Sequence, residues 1–454
     1  MAHEEILRRP SYGPHSRVVG ERGARTRGNI LDVALRQFCE RSFFDVPVDD
    51  LAKAAGVSRA TLYQYFESKD EIFAELLSEC GAMLMRLISR LGPLGPTVRG
   101  FDNLHWWLGE WAWVYDRYAS VFAQWDHIET SDTSFRPLVT GFVDAYAGRI
   151  SERLTAAGFA GIDRAETAAA LLLVVHRVNY LRHTGRTSGL SNEELLAGLA
   201  VVLQLVLFPD TPPEVLASQG ARPAPAPASW SDPPPHPPPA RPDRFAGLGE
   251  RARRTVRLLL DAAARTFGAR GFAGSNLDTV ASDAGVARAT LYRYFDDKID
   301  VLTALAEQAR DEVVATAVEF ASIARGDPHD GARLRRWLHH LVAISRRHAG
   351  VLRVWVERQP DDPRVQALGE EVTRSVRAAV AAALTSVQRE YPLNLHAAAL
   401  VLIALLERVP VGIAQQSRDV HEAEIVETMA AFIERGLLNG EPAARLQPPA
   451  AAAS

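Results

Sequence analysis

The sequence predicts an all-α protein built from two tandem copies of one domain. Apolar residues recur at helical spacing along most of the chain, and no convincing strand-type alternation is present. A segment of 44 residues occurs twice, 229 positions apart. A proline-rich stretch separates the copies, and 454 residues are too many for one ordinary hydrophobic core.

The composition is typical of a globular protein outside the membrane, with 47% apolar and 23% charged residues. The most apolar stretches, residues 167–175, 195–208 and 395–406, are each shorter than the roughly 20 residues of a membrane-spanning helix. The N-terminus lacks the apolar core of a signal peptide. Two cysteines, Cys39 and Cys80, fit a reducing compartment. We therefore expect a cytoplasmic protein without a membrane partner.

Motifs of catalysis and metal binding are missing from the sequence. It contains no G-x-S-x-G, H-E-x-x-H, P-loop or dinucleotide fingerprint. Neither cysteine has a His or a second Cys at ligand spacing. We expect no enzymatic activity, no cofactor and no metal. The net charge of −4 shows no global basic excess, so a nucleic-acid surface would have to come from local charge.

Three short helices are predicted in the first copy, at about residues 26–41, near 48–55 and from Arg59 onward. Gly56 is expected to end the second helix in a left-handed conformation, and Ser58 to cap the third. Leu62 and Phe66, four residues apart, are expected to anchor the third helix in the core. Two short helices joined by a tight glycine turn form a helix-turn-helix, whose second helix enters the major groove of DNA.

The second copy repeats this pattern without a gap. Residues 30–73 align with residues 259–302, and about 20 of these 44 pairs are identical. The similarity continues faintly beyond them. Trp107 corresponds to Trp337, and the run Ala-Ala-Ala-Leu from Ala168 recurs from Ala397. The duplication therefore covers a whole domain and not only one motif.

The stretches GVSRATLYQYFESK and GVARATLYRYFDDK closely resemble the DNA-binding head of TetR-family transcriptional regulators. The resemblance is strong over roughly 50 residues of each copy. It implies a three-helix head, a helical body with a small-molecule pocket, and dimerisation through two late helices. The domain organisation predicted on this basis is a flexible basic arm (1–21), head 1 (22–73), body 1 (74–208), a proline-rich linker (209–247), head 2 (248–302), body 2 (303–440) and a disordered tail (441–454). Proline at the density of the linker predicts an extended, semi-rigid spacer.

The resemblance also implies which residues contact DNA. Base edges would be contacted by Arg59, Ala60, Arg288 and Ala289, since Arg offers two donors to guanine and the Ala methyl can pack on a thymine methyl. Phosphates would be contacted by Ser58, Thr61, Tyr63, Tyr65, Lys69, Thr290, Tyr292, Tyr294 and Lys298. Gln64 and Arg293 differ between the copies, which allows the two half-sites to differ. A core position is an equal alternative for Tyr65 and Tyr294, and a solvated helix start is the alternative for the two lysines.

Basic residues cluster before the first helix of each copy: Arg17, Arg22, Arg25 and Arg27, then Arg251, Arg253, Arg254 and Arg257. Such arms can contact phosphates or the minor groove, although the outermost arginines could equally be solvated.

The chain departs from the family pattern at several positions, most of them in head 2. Pro47 and Asn276 stand where a Thr or Ser commonly opens the second helix. Ala287 replaces a capping Ser, which loses about 1 kcal/mol. Asp296 and Asp297 add negative charge. We expect head 2 to bind DNA more weakly than head 1.

A possible ligand site is indicated by aromatic residues of body 1. Trp107, Trp111, Val114, Tyr118 and Trp125 form a helical stripe, which is more often core than pocket. Three aromatic residues have small or aliphatic counterparts in the second copy: Trp111, Trp113 and Tyr115. A large apolar or aromatic ligand explains this bulk, and asymmetric packing explains it equally. Polar contacts could come from His176, Arg177 and Tyr180, or these could be solvated residues at a helix end.

These observations predict a sequence-specific, ligand-responsive repressor whose two heads bind a pseudo-palindromic operator in double-stranded DNA. The alternative is a DNA-binding architectural protein, or an activator, without a small-molecule inducer. Helices near residues 165–183 and 192–208 would pack on helices near 394–415 and 423–437, giving an intramolecular pseudo-dimer. The alternative assembly is a homodimer with four heads.

Overall fold

Helices make up 77% of the described residues and strands almost none, which confirms the predicted all-α class. The structure, a computed structural model, describes residues 21–442 except 42, 44, 125–134, 188, 220–222, 226, 228–229, 231–243, 358–359, 416–420 and 440, with the backbone alone for 411, 413–415 and 441–442. Three parts of the predicted segments lie outside these residues: 1–20 of the arm (1–21), 231–243 of the linker and 443–454 of the tail.

Nine helices of the first copy are described: α1 Glu21–Arg41, α2 Val48–Ala54, α3 Arg59–Tyr65, α4 Lys69–Arg90, α5 Val98–Arg117, α6 Ala119–Ala123, α7 Arg136–Ala156, α8 Arg164–His183 and α9 Asn192–Leu207. The first begins five residues before its predicted start, with Glu21 in its first turn. An acidic residue there favours the helix because it faces the positive end of the helix dipole.

The linker contributes a short helix, α10 Pro213–Leu216, and a 3₁₀ turn, Ala217–Gln219. The second copy contains α11 Glu250–Arg270, α12 Leu277–Asp283, α13 Arg288–Leu291, α14 Lys298–Gly326, α15 Gly331–Arg347, α16 Ala349–Glu357, α17 Pro363–Thr385, α18 Leu395–Gln415 and α19 Glu422–Ala431, which continues into a π-helical segment, Phe432–Leu437. The order of helices thus repeats, as the duplication predicts.

The chain divides into two compact units. The first comprises the described residues up to Arg90 together with Glu110–Tyr146. In it, α1 packs against α2, α4 and α6. The ring of Phe43 lies 5.2 Å from that of Phe38 and 4.8 Å from that of Phe73. This aromatic cluster is part of the core of head 1, where Leu51 of α2 and Leu62 of α3 are also buried.

The second unit comprises Leu91–Gly109 and the described residues from Ala147 onward. Its head has the same kind of core, in which the ring of Phe267 lies 5.5 Å from that of Phe272. Leu291 and Phe295 are also buried there. The long α14 packs against α17, which forms the centre of body 2.

The second unit also contains a bundle in which late helices of the two copies pack together. The first-copy helix α8 packs on α18 and α19 of the second copy, and α9 packs on α18 and the π-helical segment. The approach is close: a methyl group added at Gly198 would overlap the Cβ of Ala397, and one at Gly436 would lie 2.6 Å from a methyl of Val206. The packing expected between these late helices is therefore present within one chain.

The predicted linker is not wholly extended, and the first two residues of the predicted disordered tail form a paired strand. Proline is compatible with the start of a helix because its missing N–H has no partner there, and α10 begins at Pro213. Trp230 is 2% exposed, and its ring lies 5.3 Å from that of His396 and 5.3 Å from the Arg377 guanidinium. A two-residue strand, Val387–Gln388, pairs antiparallel with Glu441–Pro442. The prediction of an extended spacer is therefore wrong at α10 and at Trp230. Burial of the large apolar ring favours packing of Trp230 against His396 and Arg377.

Candidate nucleic-acid interface

The turn between α2 and α3 has the geometry of a helix-turn-helix. Gly56 has a φ of 69°, and its amide donates to the Lys53 carbonyl at 3.1 Å. The amide of Val57 donates to the Ala52 carbonyl at 3.0 Å. In head 2, Gly285 has a φ of 68° and the same two bonds are formed. The predicted left-handed glycine is confirmed in both copies.

The recognition helices α3 and α13 begin differently. The Ser58 hydroxyl accepts a hydrogen bond from the Thr61 amide at 3.0 Å, and α3 continues for seven residues. Ala287 offers no side-chain cap, and α13 has four residues before the chain enters turns. The predicted loss of the cap is thus confirmed. For the preceding helix it is head 2 that has the cap. Asn276 caps α12 by accepting from the Thr279 amide, whereas Pro47 forms no such bond at the start of α2.

Solvent reaches the residues that were predicted to contact bases. Arg59, Ala60, Arg288 and Ala289 are all exposed. The other exposed residues on these helices are Ser58, Tyr63, Gln64, Tyr292 and Arg293. The half-buried ones are Thr61, Tyr65, Thr290 and Tyr294. Leu62 and Leu291 are fully buried, so each helix is anchored by its inner face as predicted. The outer faces are available to a partner, and the DNA contacts themselves remain predictions.

Each recognition arginine is held by a carboxylate from the preceding helix. The Nη1 of Arg59 lies 3.0 Å from Oδ1 and 2.9 Å from Oδ2 of Asp49. Its guanidinium carbon lies 5.6 Å from the ring centre of Tyr63. The hydrogen bond with Tyr63 and, to a lesser degree, the charge of Asp49 raise the pKa of Arg59.

Head 2 repeats this arrangement. The Nε of Arg288 lies 3.0 Å from Oδ1 of Asp278, and its Nη1 lies 3.1 Å from Oδ2. The ring centre of Tyr292 lies 5.5 Å from the guanidinium carbon. Sequence reasoning named the arginines and tyrosines but missed the aspartates. A signal was present, since an Asp precedes the Arg by ten residues in both copies.

The two predicted phosphate-binding lysines are bound to backbone carbonyls. The Nζ of Lys69 donates to the carbonyls of Phe43 (2.7 Å) and Val46 (3.1 Å). The Nζ of Lys298 donates to those of Phe272 (2.8 Å) and Ser275 (2.9 Å), and burial lowers the pKa of this lysine. These residues tie the start of the fourth helix to the loop before the second. The solvated-helix-start alternative is therefore wrong, and a phosphate contact remains a prediction.

The basic arm of head 1 is only partly accessible. Arg22 and Arg25 are exposed in the first turns of α1, whereas Arg17 lies outside the described residues. Arg27 is buried, and its Nη1 and Nη2 lie 2.5 Å and 2.7 Å from the Glu75 carboxylate. The expectation that Arg27 is part of a DNA-contacting arm is therefore wrong, because this ion pair holds it inside the head.

The basic residues before head 2 are more accessible. Arg251, Arg254 and Arg257 are exposed on α11. Arg253 is exposed as well, but its guanidinium donates to the carbonyls of Ala246 and Leu248. Three exposed basic side chains therefore precede the second recognition helix in sequence.

The predicted ligand residues fall in different units. In the first unit, Trp111 and Tyr115 are buried, and their rings lie 5.4 Å and 4.5 Å from that of Phe122. This packing supports the asymmetric-core alternative for these two residues. Trp113 is exposed to 54%.

In the second unit, Arg177 is buried, its Nε lies 2.7 Å from Oε2 of Glu407, and its guanidinium carbon lies 4.6 Å from the ring centre of Tyr180. His176 is half-buried in the same helix. Arg177 is therefore not a solvated helix-end residue. A ligand site at these positions remains a prediction.

Two properties of the described residues bear on the other functional classes. No group of three or more His, Cys, Asp or Glu side chains among them could hold a metal ion. None of the helices described combines the length and apolarity needed to cross a bilayer. The two cysteines are both free, Cys39 exposed and Cys80 buried.

Comparison with known proteins places both heads in one family. The model of the family "Bacterial regulatory proteins, tetR family" matches residues 30–76 and 259–305. The chain is 40% identical over 82 residues to the transcriptional regulator MftR of Mycobacterium tuberculosis (17% of this chain, 41% of the relative). It is 43% identical over 63 residues to the HTH-type transcriptional regulator EthR of Mycolicibacterium smegmatis (13% and 29%). The chain thus spans less than half the length of these curated relatives.

A solved structure is also similar, the crystal structure of a tetR-family transcriptional regulator from Streptomyces coelicolor. It is 23% identical with a TM-score of 0.32, and the match covers 41% of this chain and 81% of that one. The assignment rests instead on the two matched segments, which coincide with the two helix-turn-helix units described above. Each of the two helix-turn-helix units of this chain therefore matches the model of the tetR family of bacterial regulatory proteins.

Proposed function

We propose that this protein is a sequence-specific DNA-binding transcriptional regulator with two heads on one polypeptide. The observation that carries the proposal is the repeated Arg-Ala pair, Arg59-Ala60 and Arg288-Ala289. Each pair is exposed at the start of the second helix of a helix-turn-helix. Arginine in the major groove can donate two hydrogen bonds to guanine, and the alanine methyl can contact thymine.

The two heads of one chain would serve as the two halves of a dimer. Supporting this, α8 and α9 pack on α18 and α19 within the second unit. The buried guanidinium of Arg177 is paired with Glu407 across this bundle. Pairing α8 with α8 of a second chain would leave that arginine without its carboxylate, and an unpaired buried charge is strongly destabilising. Such a pseudo-dimer would bind two half-sites about 34–36 Å apart in a pseudo-palindromic operator.

The regulator would act as a repressor that a small apolar or aromatic ligand releases from DNA. A ligand can do this only if it binds a non-DNA-binding arrangement more tightly than the DNA-binding one. The family resemblance and the aromatic residues of body 1 support the idea. Adding a panel of planar aromatic compounds to the operator complex tests it. At least one should release DNA and protect body 1 from hydrogen exchange, and complete inertness would favour an architectural protein or a ligand-independent activator.

The DNA-binding proposal is tested by selecting duplex fragments from a random library at moderate salt. We expect enrichment of one paired element, bound by a single chain of 49.7 kDa according to light scattering of the complex. The double variant R59A/R288A should lose the enrichment. R149A/R364A is the matched control, because it removes the same two charges from exposed positions on α7 and α17.

Three outcomes would contradict the proposal. Retention of random fragments without any preference would indicate an architectural protein. A single unpaired element would show that only one head binds. A complex containing two chains would replace the pseudo-dimer by a homodimer with four heads.

A further inference from the structure

An aspartate occupies the same place in both helix-turn-helix units. Asp49 is the second residue of α2, and Asp278 is the second residue of α12. Both carboxylates are bound to the arginine that opens the next helix. The flanking residues are not shared, because Pro47 and Asp50 correspond to Asn276 and Thr279. When the first three residues of α2 are compared with those of α12, only the arginine-bound aspartate is identical.

A carboxylate at this position is unfavourable for binding DNA. The side chains of Asp49 and Asp278 are 62% and 59% exposed, beside the residues proposed to face DNA. Negative charge there repels phosphates and weakens binding to every sequence. The surface pairs also add little stability, because exposed ion pairs contribute about 0–1 kcal/mol. The helix dipole favours an acid in the first turn of α2 and α12, but it does not explain why both acids are bound to the recognition arginine.

Their geometry suggests what they do for the arginines. A guanidinium has five N–H donors in a planar fork. The carboxylate contacts involve Nη1 in Arg59, and Nε with Nη1 in Arg288. Neither set involves Nη2. The tyrosine ring four residues later lies within 5.6 Å of each guanidinium carbon. The aspartate and the ring thus restrict the arginine while leaving donors for a base.

We propose that Asp49 and Asp278 are positioning residues that set the base preference of Arg59 and Arg288. This inference rests on the proposed function. An arginine that is already held in place loses less conformational entropy when it binds, and it approaches guanine at a fixed angle. A free arginine reaches neighbouring bases and phosphates almost as well. The aspartates therefore decrease affinity for all DNA and increase discrimination between sequences.

The double variant D49N/D278N tests this proposal. Asparagine keeps the size of the side chain but loses the charge-assisted bonds. The measured quantity is the ratio of affinities for the selected operator and for an operator with one guanine pair replaced in each half-site. We expect this ratio to fall about threefold to tenfold, out of the roughly 25-fold or more that two bidentate contacts provide together. Affinity for unrelated DNA should rise.

D50N is the matched control. Asp50 lies next to Asp49 on α2, but its carboxylate is bound to Arg41 at 2.8 Å. D50N removes the same charge as the single variant D49N, so both should raise affinity for unrelated DNA, while only D49N should lower the discrimination ratio. The thermal midpoints of both variants should equal that of the original protein, because all these pairs are exposed.

A third comparison separates positioning from direct base contact. In the R59A/R288A background, adding D49N/D278N should leave the ratio unchanged, since the aspartates act through the arginines. A further change would mean that the carboxylates contact a base themselves, for example by accepting from cytosine N4, and would overturn the proposal.

The proposal and the function on which it rests fail in different ways. If the original protein enriches a paired element and D49N/D278N retains the full ratio, only the positioning role is wrong. If the original protein enriches nothing, the proposed function is wrong and the positioning role falls with it.

Discussion

Heads 1 and 2 present nearly the same side chains to solvent but support them differently. In head 1, the recognition helix begins at a serine cap and runs through Tyr65. In head 2, it begins at Ala287 without a cap and ends at Leu291. The Arg, Ala, Thr and Tyr residues on their outer faces are identical. Of the two recognition helices, head 1 therefore has the longer and better capped one.

The heads also differ in how they fill one buried position. Head 1 places an ion pair there, Arg27 with Glu75. At the 229-residue shift the corresponding residues of head 2 are Val256 and Ala304, both buried and apolar. Replacement of a buried ion pair by apolar residues is often neutral or stabilising, whereas removal of one partner is costly. The two copies show both solutions in one chain.

The largest effect is expected from breaking this ion pair. Glu75→Ala should destabilise head 1 by about 3 kcal/mol, because it leaves a buried guanidinium unpaired. Adding Arg27→Val, which gives head 1 the apolar residues of head 2, should restore most of the loss. Hydrogen exchange of the α1 amides measures both variants. Asp50→Ala breaks the exposed pair with Arg41 and should change stability by less than about 1 kcal/mol. An equal loss in the single and double variants would show that the pair is not the cause.

The next effect concerns the two recognition arginines. Arg59→Ala should weaken operator binding by about 1–3 kcal/mol, and Arg288→Ala should weaken it less, because α13 is shorter and uncapped. The measurement is the affinity of each single variant for the selected operator, made at the same salt concentration. An equal or larger loss for the second variant would show that head 2 is not the weaker head.

A smaller effect is expected from exchanging the caps. Ser58→Ala should destabilise α3 by about 1 kcal/mol, and Ala287→Ser should stabilise α13 by a similar amount. Hydrogen exchange of the Thr61 and Thr290 amides reports on the two caps. Ser78→Ala, at an exposed position on α4, controls for the loss of a hydroxyl. Unchanged protection of the Thr290 amide in the Ala287→Ser variant would mean that the turn, and not the cap, limits α13.

The smallest effect is a pH dependence in body 2. His348 corresponds to Tyr118 at a shift of 230, and both side chains are buried. Burial raises the pKa of Tyr118, so it stays neutral. Burial lowers the pKa of His348, although Glu312 opposes this shift, while Arg347 adds to it. The unfolded chain therefore takes up a proton below pH 6.5 that the folded protein excludes, and body 2 loses stability as the pH falls toward the folded pKa.

Between pH 7 and 6 the loss should reach at most about 0.7 kcal/mol. Denaturant unfolding of the protein and of a His348→Asn variant across this range measures it. If the His348→Asn variant showed the same pH dependence as the original protein, the effect would come from another titratable group.

Local signals were sufficient for much of this structure. Gly56 and Ser58 allowed the turn and the cap to be predicted, because each acts through backbone groups one to three residues away. The Asp49–Arg59 pair could not be predicted this way, since the two side chains meet only after α2 packs on α3. The carbonyls that bind Lys69 belong to a loop more than twenty residues earlier. Trp230 lies in a proline-rich segment, and its partners His396 and Arg377 are over 140 residues away.

The bundle of α8, α9, α18 and α19 has a consequence for gene dosage. Two separate chains must find one another, so a regulator assembled from two chains dissociates when few copies are present. Here the second copy is covalently linked to the first. Its effective concentration is therefore set by the polypeptide and not by the expression level of the protein. Operator occupancy would then rise in proportion to the number of molecules rather than to its square. Because one gene encodes both heads, each head can also acquire its own base preference by mutation while it stays linked to the other head.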